Sequence, residues 1–139
     1  MRYWDSSALV PLLVDEPSSG ARRSLLESDP VIVTWWGTPL ECEAALARLG
    51  RQPGYGPASS QAARSALSEL AGDWFEVSPG NQVRSRASRL LRVHPLRAAA
   101  ALQLAAALVA VREHSSAIEF VCNDERLAEA ARLEGFATV

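Results

Sequence analysis

Short apolar runs alternate with amphipathic stretches along the chain, and each change of period predicts an element. Arg2 to Trp4 is a brief apolar opening closed by Asp5, and it reads as a first strand. Ser6 and Ser7 then read as the cap of a helix from about Ala8 to Val14, which Pro17 breaks. Ser18 and Ser19 restart a helix that carries Leu25 and Leu26 and stops near Asp29-Pro30. Val31 to Thr34 is a β-branched run and the clearest strand. Thr38-Pro39 opens a helix through Leu49, with Pro in its first turn and Gly50 just past its end. A further helix spans Ser59 to Ala71, and Phe75 to Val77 is a short strand. Helices follow over about Gln82 to Val93 and Leu96 to Glu113. Ile118 to Cys122 is another strand, Asn123-Asp124 lead into a helix through Leu133, and Gly135 stops it before a last strand over Phe136 to Val139.

Strands that are almost wholly apolar, alternating with helices, predict a mostly parallel sheet covered on both faces: one three-layer α/β/α domain over residues 1–139. In such folds the reactive edge lies at the carboxyl ends of the strands. Asp5 follows the first strand directly, and Asp124 follows the Ile118–Cys122 strand by two residues. Glu41 lies in the first turn of the helix after the second strand, with Glu43 two positions on. Three carboxylates gathered at one edge repel one another unless a cation sits between them or one is protonated. Hard divalent ions are the natural complement. Each acid taken alone has an ordinary structural reading: Asp5 and Asp124 as helix caps, Glu41 and Glu43 as first-turn acids that suit the helix dipole.

Composition narrows the chemistry further. The 139 residues are 48% hydrophobic with a formal net charge of −2, so a nucleic-acid partner would be held by a local patch. All 14 basic residues are Arg; the absence of Lys excludes the P-loop lysine, Schiff-base catalysis and Ser–Lys dyads. His94 and His114 are the two imidazoles, and no H-E-x-x-H is present, which excludes a zincin. Cys42 and Cys122 are too few for a Cys-rich zinc site and, with no signal-peptide pattern, point to a reducing cytoplasm. They read as buried small apolar residues. The most apolar stretch, Ala98 to Val111, contains Gln103 and falls short of the ~20 residues that cross a bilayer, so it reads as a buried helix.

Four segments, in order, resemble the PIN-domain ribonucleases of the VapC toxin type. Tyr3-Trp4-Asp5-Ser6-Ser7-Ala8-Leu9-Val10 resembles their opening strand. Thr38-Pro39-Leu40-Glu41-Cys42-Glu43-Ala44-Ala45-Leu46-Ala47-Arg48-Leu49 resembles the second motif, whose register selects Glu41 over Glu43. His94-Pro95-Leu96-Arg97-Ala98-Ala99-Ala100-Ala101-Leu102-Gln103-Leu104-Ala105 resembles the third. Phe120-Val121-Cys122-Asn123-Asp124-Glu125-Arg126-Leu127-Ala128-Glu129-Ala130-Ala131 resembles the fourth.

The resemblance implies an endoribonuclease that uses Mg²⁺ or Mn²⁺, the toxin of a type II toxin–antitoxin system. It further implies a VapB-type antitoxin, an RNA substrate and a homodimer as partners, with no membrane association. Asp5 and Asp124 would bind metal, and Glu41 would bind metal or orient its water. Where the family carries a catalytic Asp, this chain has Ala100, within a run of four alanines. Alanine preserves the helix but supplies no ligand. The expectation is an impaired nuclease, whether the acid was removed on purpose to disarm a toxin or lost naturally.

The alternative is a catalytically degenerate PIN domain that binds RNA or an antitoxin. A receiver-type signalling domain is disfavoured by the absence of Lys, and a serine hydrolase by the absence of G-x-S-x-G. Around the acids, Arg84, Arg86, Arg89, Arg92 and Arg97 read equally as a phosphate-binding rim or a solvated face. Arg22-Arg23 reads as plain surface, Trp4 as core, His94 as structural. Trp35 and Trp36 read as base-stacking candidates of which at least one is buried.

Overall fold

Five strands form one wholly parallel sheet in a computed structural model that describes residues 1–112 and 118–139. They are β1 (Arg2–Trp4), β2 (Ile32–Trp35), β3 (Phe75–Val77), β4 (Glu119–Val121) and β5 (Ala137–Thr138), in the order β3-β2-β1-β4-β5. The helices are α1 (Ser6–Leu13), α2 (Ser19–Ser28), α3 (Thr38–Gly50), α4 (Pro57–Asp73), α5 (Asn81–Val93), α6 (Ala98–Ala110) and α7 (Glu125–Leu133). The expected end of the sixth helix at Glu113, and His114 after it, lie outside the described residues.

Successive side chains of a strand point to opposite faces, and this sheet has a core on each. Tyr3, Val33, Trp35 and Phe120 point to one side, where they meet α5, α6 and α7. Trp4, Ile32 and Val121 point to the other, where they meet Leu9 of α1, Cys42 and Leu46 of α3, and Leu67 of α4. The result is the three-layer α/β/α arrangement read from the sequence. Tyr3 stacks on Phe120 across the β1–β4 pair at 5.2 Å between ring centroids. No helix among the described residues is long and apolar enough to cross a membrane.

The boundaries differ from the expected ones where side-chain chemistry displaced a cap. Asp5, not Ser6 or Ser7, caps α1, because its carboxylate accepts from the Ser7 amide; both serines therefore fall inside the helix. At the far end of the chain, Gly135 has φ +94° and ends α7. Its amide bonds Arg132 O at 3.0 Å and the Phe136 amide bonds Ala131 O at 2.9 Å, a paired closure that turns buried Phe136 into the core.

From β1 the chain works outward through β2 to β3, then returns to lay β4 on the free side of β1 and β5 beyond it. The direction of winding therefore reverses between β1 and β4. That reversal opens a crevice at the carboxyl ends of these two strands, where Asp5 and Asp124 emerge.

Candidate carboxylate site

Asp5 lies at the crevice, 3% exposed. Its Oδ2 accepts from the Ser7 amide at 2.9 Å and from the Ser7 hydroxyl. Burial pushes its carboxyl up to about 6; the Ser7 hydrogen bonds oppose that rise, while the Glu41 and Asp124 charges add to it. The three acids therefore share one electrostatic environment. Asp124 starts α7, and its Oδ1 accepts from the amides of Arg126 at 2.9 Å and Leu127 at 3.1 Å. The capping role and the site position coincide in both aspartates.

Glu41 is turned inward from the first turn of α3. Its Oε2 accepts from Ser6 Oγ at 2.7 Å and from Gln103 Nε2 at 3.2 Å. Glu43 faces the other way, toward Arg64 of α4 at 3.4 Å. The geometry thus makes the same choice between the two glutamates as the motif register. Gly37 at the start of α3 lies under the Trp35 indole, which a Cβ at that position would overlap.

Sequence reasoning expected the three acids and Ala100 around one pocket, and here it needs correction. Ala100 and Asp124 line one cavity of about 390 Å³ with Pro95, Leu96, Arg97, Glu125 and Arg126. Glu41 lines a neighbouring one of about 450 Å³ with Ser6, Ser7, Arg48 and Asn123. Neither has Asp5 in its lining; Asp5 is coupled to an acid of each cavity.

The arginine expectations shift too. Arg97 and Arg126 flank the Ala100 cavity, whereas Arg84 lines a separate one beside Trp35. Arg89 bonds Glu134, which also meets His94 Nε2 at 2.8 Å, so His94 is structural. Arg22 is no plain surface residue: it reaches Asn123 Oδ1 at 2.9 Å and Cys122 O at 3.3 Å, gripping the loop that presents Asp124. Trp35 is buried and Trp36 exposed.

Several site residues carry no motif signal. The Asn123 amide donates to Ser7 Oγ at 2.9 Å, tying the Asp124 loop to the Asp5 cap. Cys122 is buried as expected, but it is also polar in its contacts. Its thiol accepts from the Asp124 amide at 3.2 Å and lies 3.7 Å from Asp5 Oδ2. Burial first, then the Asp5 charge, pushes that thiol up to about 12, so it stays protonated. Gln103 was visible as the polar interruption of an apolar helix, a usable signal that was read only as an argument against a membrane span.

Among the described residues no three His, Cys, Asp or Glu side chains close into a group that could hold a metal ion. One oxygen of each acid is bonded within the protein, and position 100 carries a methyl. The other carboxylate oxygen of each acid has no donor among the described residues. Trp4 Nε1 is the sole buried, partnerless side-chain polar atom among the described residues, so the second Asp5 and Glu41 oxygens meet solvent. Such a donor set suits a hard cation held through one or two carboxylates and several waters, not a closed cage.

No family model matches the chain, and neither does any curated protein. The fold has a solved counterpart. It is similar to that of a chain in a toxin–antitoxin complex from Klebsiella pneumoniae, with a TM-score of 0.60. The two are 17% identical, over 89% of this chain and 87% of that one. At that level the likeness is one of architecture.

Proposed function

We propose that this protein belongs to the toxin side of a toxin–antitoxin pair and is built as a Mg²⁺- or Mn²⁺-dependent endoribonuclease, impaired by Ala100. The observation that carries the reading is the convergence of the acids at the reversal of the sheet: Asp5 and Asp124 follow the paired strands β1 and β4, Ser6 beside Asp5 bonds Glu41, and Ala100 lines the same cavity as Asp124. The architectural likeness to a chain of a toxin–antitoxin complex supports it.

Asp5, Asp124 and Glu41 would hold the ion through their solvent-facing oxygens. Bound there, it would neutralise the phosphodiester and lower the pKa of a water. The protein's own part is positional. Ser7 fixes Asp5, the α7 amides fix Asp124, and Ser6 and Gln103 fix Glu41. Arg97 and Arg126 supply positive charge at the rim for an RNA backbone.

Ala100→Asp is the decisive variant. It should convert a protein with little or no cleavage into one that cuts RNA when Mg²⁺ is present and not when it is chelated. If the restored protein is no more active than its parent, the role given to position 100 is wrong. A second reading, a degenerate domain that binds RNA or an antitoxin, is favoured by the lack of a closed three-ligand group. Calorimetry separates the two: no Mn²⁺ binding at millimolar metal by either protein favours the binder.

A further inference from the structure

Gln103 is fully buried in the most apolar helix of the molecule, yet its amide is saturated. Tyr3 OH lies 2.9 Å from its Oε1, and its Nε2 lies 3.0 Å from Thr38 Oγ1 and 3.2 Å from Glu41 Oε2. The orientation is forced from the far end of the network. Trp4 O is a carbonyl and only accepts, so Thr34 Oγ1, 2.8 Å away, must donate to it. Thr34 Oγ1 then accepts from Thr38 Oγ1 at 2.7 Å. Thr38 has spent its proton and must accept from Gln103, as it does from the Trp35 amide at 3.3 Å. Both amide protons of Gln103 are thereby assigned, one to Thr38 and one to Glu41. Its carbonyl is left for the Tyr3 hydroxyl.

From this we infer that Gln103 is a positioning residue that makes Glu41 a one-oxygen ligand. Oε2 is held by two donors, Ser6 and Gln103, and the carboxylate pivots no further. Oε1 has no donor among the described residues, and Glu41 lines its cavity. Gln103 lies one turn beyond Ala100 on α6, so the same helix presents the vacant acid position and the brace for the opposite acid. Tyr3, two residues before Asp5, donates to the remaining Gln103 carbonyl, which links the Glu41 brace to the strand that delivers Asp5. The functional weight of this arrangement rests on the carboxylate-site reading above; the arrangement itself does not.

The test uses Gln103→Leu and Tyr3→Phe, each in the Ala100→Asp protein, with three measurements. Crystal structures report where the Glu41 carboxylate sits, thermal unfolding reports the fold, and calorimetry reports Mn²⁺ affinity. Gln103→Leu should release Glu41 from its single pose and weaken Mn²⁺ binding about tenfold to a hundredfold. Tyr3→Phe, which strips the buried Gln103 carbonyl of its donor and loosens the amide, should give a smaller loss in the same direction and serves as the decisive variant if Gln103→Leu does not fold. An unmoved Glu41, or Mn²⁺ affinity unchanged in a folded variant, overturns the inference. If the Ala100→Asp parent binds no Mn²⁺, the carboxylate-site reading fails, and the position of Glu41 in the variants still decides the role of Gln103.

Discussion

Asp5 carries an electrostatic cost that comes first from its burial. Its folded value of about 6 lies above the ordinary 3.8, so the native state holds this proton more tightly than the unfolded chain. Stability from this group is therefore fully present below pH 3.8, falls as pH rises, and is lost above about pH 6, a swing of about 3 kcal/mol. Burial sets most of that swing, the Ser7 hydrogen bonds reduce it, and the Glu41 and Asp124 charges add to it; the protonated Cys122 thiol also faces the carboxyl. Asp5→Asn keeps an oxygen for the Ser7 cap and removes the charge. In metal-free urea unfolding the variant should be the more stable protein at pH 8 and close to its parent at pH 3.5. Equal curves at both pH values would show that the carboxyl ionises freely.

The elements nearest the site are tied by contacts that join distant stretches of chain. Glu134, the C-cap of α7, accepts from Arg89 of α5 at 3.1 Å and from His94 at 2.8 Å, anchoring the loop that begins the Ala100 cavity wall. Arg89 and then His94 hold its carboxyl below the ordinary 4.5, against the opposing effect of burial. Its contribution is present above pH 4.5 and is lost as pH falls through the lower folded value. Glu134→Ala should destabilise the protein by about 1–3 kcal/mol at pH 7 in chemical denaturation, and by less near pH 3.

The same elements show what the sequence could reveal. Strand and helix periods located the sheet, and the rule about strand ends located Asp5, Glu41 and Asp124, because both signals are local. Ser6, Arg22 and Gln103 were missed as site residues because their partners lie far along the chain, and Ser7 because its tie to Asp5 is that of an ordinary helix cap. Gln103 meets Glu41 across 62 positions and Arg22 meets Asn123 across 101. No local period encodes such pairings. The division of the acids between two cavities was equally invisible, since it depends on how α3 and α6 seat against β2 and β1.

At the scale of the whole molecule, the sheet's reversal concentrates negative charge with no lysine and no ion pair directly on the acids among the described residues. Restoring an acid at position 100 adds one more charge beside Asp124. Without divalent metal, Ala100→Asp should lower the melting temperature by a few degrees, an effect of about 1 kcal/mol on a chain of this size. Saturating Mn²⁺ should return that loss and more to the variant, while shifting the parent less. A variant that melts with its parent in both conditions would place residue 100 outside the field of the other acids.

The strand order also sets a timetable. β4 and Asp124 follow β1 and Asp5 by more than a hundred residues, yet β4 must dock beside β1. A translation product cut short before residue 118 keeps Asp5 and Glu41 but has neither Asp124 nor the strand that covers the open edge of β1. Such a fragment is left with an unpaired strand edge, a mark for aggregation and proteolysis. A cell making this protein would thus meet Asp5, Glu41 and Asp124 together only in chains whose synthesis had passed residue 124.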